Sequence, residues 1–236
     1  MMEQFVFSDI HGNSKLFWQI YDWLNARPEY WRCYFLGDAN DRGPDGYEIM
    51  KILLRDHRFV YIKGNHEDMF CKAARVLKSY KTIGADLWEI YQGYDEDVDI
   101  CLRNDGIFTL NDWIKDGMPM SIIKELEQLP EHIEIVNDSG LTIDLSHAGH
   151  MIDESDGFIW SRKHFLEKWD KGLMIHGHTP IRYLRRLVDV STKSTEPAFY
   201  KDGTKLDLDT ACFSSGIINV VDLNTLKHTK FVSWLD

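Results

Sequence analysis

Cysteine is scarce: Cys33, Cys71, Cys101 and Cys212 are the four in 236 residues, far apart and with no C-x-x-C pair. That excludes a disulfide framework and a zinc ribbon, and reads as reduced, buried thiols in a cytosolic chain. Long apolar runs are absent, so no membrane span is expected. The first residues, Met1 to Asp9, lack the basic start and apolar stretch of a secretory leader and run straight into an apparent strand. Positive charge is also in short supply. The 27 Lys and Arg face 38 Asp and Glu, a net charge of −11. A surface that acidic repels a phosphate polymer and so argues against extended nucleic-acid binding. It leaves room for a small phosphorylated group held locally by one or two arginines or by metal ions. A cytoplasmic protein without nucleic-acid or membrane partners is the expectation.

What is present is globular: 44% hydrophobic and 28% charged residues, enough for a sizeable core. The first third alternates strand and helix: strands at 5–9, 31–36 and 58–62, helices at 14–26 and 47–56. That is the pattern of an α/β sheet with a cleft at its strand ends. Residues 66–130 read as mostly helical and aromatic-rich, interrupted by a solvated acidic loop at Asp95, Glu96, Asp97 and Asp99. After Pro130 the period shortens: strands at 132–136 and 141–146 flank a turn at Asp138-Ser139-Gly140, a helix is expected at 163–170 and a strand at 172–176. From about 183, short strands alternate with turns such as Asp202-Gly203. No repeat or flexible linker is evident. The expectation is a single domain over 1–236, with a helical insert at about 68–130.

Five motifs fall at or just after predicted strand ends: Asp9-Ile10-His11-Gly12, Gly37-Asp38-Ala39-Asn40-Asp41-Arg42-Gly43, Gly64-Asn65-His66-Glu67, Ser146-His147-Ala148-Gly149 and Gly177-His178-Thr179-Pro180. Asp9 and His11, two apart at a strand end, are expected to point the same way. The Asp38 carboxylate has two oxygens with which to bridge two ions. Asn65 adds an amide oxygen, and His147 and His178 add imidazoles from further strands. Two Asp, one Asn and three His form a mixed oxygen and nitrogen set suited to Mn²⁺, Fe or Zn²⁺. Six ligands exceed one tetrahedral site but suit two ions roughly 3.5–4 Å apart, an arrangement that handles in-line attack on phosphorus. His66 would point away from Asn65 toward a leaving-group oxygen, with Asp41 on its other ring nitrogen to fix the tautomer. Arg42 offers a planar fork of donors for phosphate oxygens. Any one of these motifs alone is an ordinary loop, and a lone strand histidine is usually a core residue. Their joint order is what argues for a site.

That order, D-x-H-G, G-D-x-x-D-R-G, G-N-H-E, H-A-G, G-H-T, resembles the calcineurin-like metallophosphoesterases. Intact Asp41-Arg42-Gly43-Pro44 and Gly177-His178-Thr179-Pro180 are similar to the bacterial and bacteriophage phosphoprotein phosphatases. So are Asn104-Asp105-Gly106-Ile107-Phe108-Thr109, which is similar to an N-G-G-x-x-T loop, Leu126 to Pro130, and Trp160-Ser161-Arg162, which is similar to W-x-R. The resemblance covers roughly three quarters of the chain. It implies a β-sandwich flanked by helices, with a dinuclear metal site at the strand ends. Asp9, His11 and Asp38 would hold one ion, and Asp38, Asn65, His147 and His178 the other. A hydroxide bridging the ions would attack phosphorus, Arg42 and Arg162 would bind the phosphoryl oxygens, and His66, aided by Asp41, would protonate the departing alkoxide. The implied activity is hydrolysis of phosphoserine and phosphothreonine in proteins, with phosphotyrosine a further substrate and a phosphoprotein or phosphopeptide as partner. The implied cofactors are two divalent ions, Mn²⁺ first, with Fe and Zn as alternatives. Hydrolysis of diadenosine tetraphosphate or a related nucleotide is the alternative, although Asp41 and Glu67 stand where those relatives tend to differ. Cyclic-nucleotide hydrolysis and a non-catalytic phosphoprotein-binding module are weaker readings. Asp105 stands where glycine is common. The segment 182–208 is long for the family and reads as a hairpin or surface excursion, with a substrate-binding edge as the alternative. His176 and His150 read as packing residues, and His57, His132, His164 and His228 as structural or exposed.

Overall fold

The computed structural model describes residues 2–28, 30–82, 95–151, 157–190 and 192–233. In chain order its elements are β1 (Glu3–Phe7), α1 (Ser14–Asn25), β2 (Trp31–Phe35), α2 (Gly46–Arg55), β3 (Phe59–Tyr61), α3 (Asn65–Thr82), α4 (Glu96–Arg103), α5 (Ile107–Lys115) and α6 (Met120–Glu127). The second half adds β4 (His132–Val136), β5 (Thr142–Ser146), α7 (Gly157–Trp160), a 3-10 turn (His164–Leu166), β6 (Leu173–His176), α8 (Ile181–Leu184), β7 (Ala198–Tyr200), β8 (Lys205–Asp207), α9 (Cys212–Ser215), β9 (Ile217–Asp222) and β10 (His228–Val232). The strands form two five-stranded sheets, ordered β10-β9-β1-β2-β3 and β4-β5-β6-β8-β7.

Alternation along each strand makes the sandwich. In β1, Phe5 and Phe7 join α1, α2 and α3 in an aromatic-rich core, while Val6 faces the second sheet. There it meets Ile143, Leu145, Ile175 and Leu206, so one apolar layer lies between the sheets. β1, β2 and β3 run parallel, as do β5, β6 and β8. The carboxyl ends of parallel strands are where an open α/β sheet presents its loops to a ligand. Here six such ends, three from each sheet, carry the loops described below.

Several sequence expectations need correction. β1 ends at Phe7 rather than residue 9, so Asp9 and His11 lie beyond the strand. The acidic run is the start of α4 rather than a loop. Asp95 caps the helix, its carboxylate accepting from the N–H groups of Asp97 and Val98. Glu96, Asp97 and Asp99 then sit in the first turn, where the helix dipole favours negative charge. The helix expected at 163–170 is only the 3-10 turn at His164–Leu166, with His164 and Phe165 buried. The segment 182–208 does contain the expected hairpin, β7 paired antiparallel with β8, but it is not a surface excursion: β8 also pairs with β6, so the hairpin completes the second sheet. Part of the aromatic-rich region at 66–130, residues 83–94, lies outside the described residues. Among the described residues, no helix is long and apolar enough to cross a membrane.

Candidate active site

Asp9, His11, Asp38, Asn65, His66, His147 and His178 are all buried and come together at the shared edge of the two sheets. Strand alternation does not aim them. Asp9 (φ 55°), His11 (φ 45°), Asp38 (φ 61°), Asp41 (φ 65°), Arg42 (φ 65°) and His178 (φ 66°) all adopt left-handed backbone. Non-glycine residues adopt it at a cost, and it persists where surrounding contacts over-determine it. Here those contacts are backbone bonds between the loops, such as His11 N–H to Asp38 O (3.0 Å), Gly12 N–H to Ala39 O (2.8 Å) and Gly177 N–H to His147 O (2.8 Å). Glycine is required at two close approaches. A Cβ at Gly64 would strike Asp38 Oδ1 and Glu67 Oε2, and one at Gly177 would strike Asp9 Oδ2.

Two ligand groups share Asp38: His11, Asp38 and His66 in one, and Asp38, His147 and His178 in the other. Asp38 Oδ2 lies 3.7 Å from His11 Nε2, 3.4 Å from His147 Nε2 and 3.8 Å from His66 Nε2. Asn65 Oδ1 lies 2.9 Å from His147 Nε2 and 2.8 Å from His178 Nδ1. Asp9 accepts from the Ser8 hydroxyl and from the N–H of His178, and its Oδ1 is 4.0 Å from His11 Nε2.

The donor set fits divalent metal ions. His147 Nδ1 faces the Leu36 carbonyl at 2.7 Å, and its Nε2 faces the Asn65 and Asp38 oxygens. A neutral imidazole has one N–H, so two oxygen-facing nitrogens need a second proton or a cation. His11 has the same arrangement on one side, with Nδ1 on the Asn40 carbonyl at 3.0 Å. A ring N–H on a backbone carbonyl is how metal-ligating histidines are usually oriented. His178 Nε2 is buried without a partner.

The electrostatics agree. Burial raises the Asp9 carboxyl, with Asp38 adding to it. Burial would raise Asp38 too, but His147, His66 and His11 hold it well below the usual carboxylate range. Burial would lower His147, yet Asp38 lifts it to about 9. His178 and His11 are pushed down, burial first, each with a neighbouring histidine adding to the shift. Carboxylates and imidazoles that perturb one another in this way cluster at functional sites, and these groups could hold a metal ion.

His66, whose Nε2 falls within the first of these groups, turns its Nδ1 to Asp41 Oδ2 at 2.8 Å. Asp41 is itself held: Thr109 Oγ1 donates to its Oδ1 (2.9 Å) and accepts its N–H (3.1 Å), and Asn40 Nδ2 donates to Oδ1 (2.8 Å). Burial opposes protonation of His66, but Asp38 and Asp41 raise its pKa. Arg42 reaches both imidazoles, at 2.8 Å to His11 Nε2 and 3.4 Å to His66 Nε2. Its N–H donates to the carbonyl of Asp105, which adopts φ 62°; left-handed backbone is the physical reason a glycine suits that position. Arg162 stands apart. It is exposed, although close enough to Asp209 and Asp38 for their charges to act on it.

The structure gives the motif residue Glu67 a role, tying two of the loops together, and adds residues outside the motifs. Asp207 and Asp209, at the carboxyl end of β8, are buried behind Asp9, and burial pushes both well above the usual carboxylate range. The alternation Leu206-Asp207-Leu208-Asp209 was the signal, a sixth strand end bearing carboxylates. Phe213 lies under the Arg42 guanidinium at 4.5 Å and edge-on to His11 at 6.0 Å. With Asn13, Lys15 and Pro44 it lines an open groove of about 390 Å³ next to His11 and Arg42. His176 packs, with Nε2 on the Tyr200 hydroxyl at 2.7 Å.

The sequence profile of the calcineurin-like phosphoesterase family matches residues 4–189. Serine/threonine-protein phosphatase 2 of Escherichia coli (strain K12) is 28% identical over 145 residues, which are 61% of this chain and 57% of that protein. The matched region thus spans little more than half of that relative. A structure named "putative diadenosine tetraphosphatase" aligns with a TM-score of 0.59 at 15% identity, over 99% of this chain and 95% of that one. The cold-active protein-tyrosine phosphatase of a psychrophile Shewanella sp. aligns with a TM-score of 0.56 at 12% identity, over 98% and 77%. At those identities the two structures speak for the fold.

Proposed function

This chain belongs to the calcineurin-like phosphoesterase family, and we propose that within it the protein is a metal-dependent phosphomonoesterase acting on phosphoserine and phosphothreonine in proteins, with phosphotyrosine as a further substrate. The Asp41–His66 pair, with His66 Nδ1 on Asp41 Oδ2 and Nε2 turned toward Asp38, carries this reading. Serine and threonine alkoxides are poor leaving groups and need a proton as the P–O bond breaks. Asp41 stabilises the imidazolium, and His66 Nε2 delivers that proton to the departing oxygen. Arg42 exchanges its contacts with His11 and His66 for phosphoryl oxygens, and Arg162 closes over them from the surface. Asp9, His11 and Asp38 hold one divalent ion, and Asp38, Asn65, His147 and His178 hold the second. When bound, the ions supply Lewis acidity to the phosphoryl group and acidify the attacking water. Manganese is the ion proposed, with iron and zinc compatible with the same donors. A cytoplasmic location and a phosphoprotein partner belong to this reading; the four buried, unpaired cysteines fit the location.

A second reading, hydrolysis of diadenosine tetraphosphate or a related nucleotide, is favoured by the groove beside Arg42. Phe213 is 39% exposed there and presents an aromatic ring next to the phosphate-binding arginine. The test is phosphate release from a phosphoserine/phosphothreonine peptide by stripped, Mn²⁺-loaded protein, run beside diadenosine tetraphosphate and a His66→Asn variant. The expected outcome is peptide turnover that falls by about 10²–10⁴-fold in the variant, the usual worth of a general acid. Slow peptide turnover with fast nucleotide cleavage would move the protein to the second reading.

A further inference from the structure

The second sheet carries another group of ligand side chains, on the face turned away from the first sheet. In the β4–β5 hairpin, Ile133, Ile135, Ile143 and Leu145 point into the layer between the sheets. His132 and Asp144 therefore point outward. His132 is paired with Ser146 and Glu134 with Asp144, so His132 and Asp144 are diagonal neighbours on one face. His132 Nε2 lies 2.7 Å from Asp144 Oδ2. His150, beyond the end of β5, brings its Nε2 to 3.2 Å from both Asp144 oxygens. The three ligand atoms lie within 4.8 Å of one another. Aromatic rings set the imidazoles: Phe158 stacks on His132 at 5.0 Å, and Trp169 meets His150 edge-on at 5.1 Å.

The second observation concerns proton count. His150 Nδ1 faces the Met151 carbonyl at 3.2 Å, while Nε2 faces Asp144. Both nitrogens of this buried ring meet oxygen acceptors, and a neutral imidazole has one proton for the two. Either His150 carries a second proton, or its Nε2 lone pair meets a cation. His147 in the active site has the same pattern.

We propose that His132, Asp144 and His150 form a mononuclear metal site, separate from the dinuclear centre, that takes Zn²⁺ with water in the fourth position. Two imidazoles and a carboxylate, without thiolate, suit Zn²⁺. Bonds of about 2.0–2.2 Å in a tetrahedron place ligand atoms about 3.3 Å apart. The His150–Asp144 gap of 3.2 Å nearly matches this, and the His132–Asp144 gap of 2.7 Å must open by about half an ångström or more. Such an ion would fasten the hairpin to the loop that carries His147.

The test counts metal. Stripped full-length chain is titrated with Zn²⁺ against a chromophoric chelator, and with Co²⁺ as a spectroscopic probe, beside His132→Gln, His150→Gln and Asp38→Asn. Wild type is expected to bind one equivalent more than His132→Gln or His150→Gln, both of which keep their phosphatase turnover. Asp38→Asn is expected to keep the Co²⁺ absorption that His132→Gln loses. His132 is one-third exposed, so its variant should fold even if His150→Gln does not. Equal equivalents in wild type and His132→Gln would overturn the site. The count does not depend on phosphate release, so it stands or falls separately from the phosphoesterase reading.

Discussion

Glu67 holds the active-site loops in register although it is not among the ligands. Its Oε2 accepts the N–H groups of Asp38 (2.9 Å) and Gly64 (2.7 Å), and its Oε1 accepts the Ala39 N–H (2.7 Å) and the Tyr61 hydroxyl (2.7 Å). One buried carboxylate thus joins the loop after β2 to the loop before α3, and so sets the spacing between Asp38 and Asn65. In Glu67→Gln one oxygen becomes an amide NH₂ turned toward two donors, and at least one donor is left without an acceptor. A buried orphan donor costs about 1–3 kcal/mol. We expect Glu67→Gln to lose about that much in urea unfolding of the metal-free protein, and to need more Mn²⁺ for half-maximal activity while Arg42 and His66 still function. Unchanged Mn²⁺ dependence would show that Glu67 supports the fold without positioning the ligands. Sequence could name Glu67 inside G-N-H-E, but its four partners come from three segments and only the folded loops reveal them. The positive φ of Asp9, His11 and Asp38 was hidden for the same reason: the residue types allow the conformation without announcing it.

At the scale of elements, legibility followed local chemistry. The βαβ start, the Asp138-Ser139-Gly140 hairpin and the loops at the strand ends could be read because alternation, helical spacing and turn residues agree there. The helix expected at 163–170 failed because its periodicity came from residues that tertiary contacts use differently. His164 Nε2 bonds the Ala148 carbonyl at 2.7 Å, and Lys205 Nζ donates to His164 O at 2.5 Å. β8 was equally hard to read, since it buries Lys205 and Asp207 on a strand only three residues long. Burial pushes the Lys205 ammonium down to about 8, against about 10.4 in an unfolded chain. Between those values the unfolded chain binds more protons, so this lysine makes the fold gain stability as pH rises. The full swing is on the order of 3 kcal/mol. Buried thiols such as Cys33 act in the opposite sense, so the clean observable is a difference. Urea unfolding of wild type and Lys205→Met at pH 7, 9 and 10 should show wild type gaining on the variant across that range. Parallel curves would mean that the ammonium reaches solvent.

For the whole molecule, the proposed ligand set spans both sheets. Asp9, Asp38 and Asn65 follow β1, β2 and β3 of the first sheet, and His147 and His178 follow β5 and β6 of the second. An ion held by Asp38 and His147, as proposed, would therefore join the sheets at one edge, in addition to the apolar layer between them. Without it the same edge holds Asp9 and Asp38 as buried neighbours, with Asp207 and Asp209 behind them. Ligand that binds only the folded state stabilises it by about 2.7 kcal/mol at a hundredfold excess over Kd. For a chain of this size that is a rise in Tm of roughly 5–10 °C. Chelation should lower Tm by that order, and Mn²⁺ should restore it. The two roles separate by variant. His66→Asn keeps the metal-dependent rise while losing turnover, because the proposed acid is not needed to hold the ions. Asp38→Asn loses the rise and the turnover together, because it removes the carboxylate shared by the two groups. A rise that survives in Asp38→Asn would mean that the ions bind without joining the sheets, and the second sheet's histidines would then need another reason to be where they are.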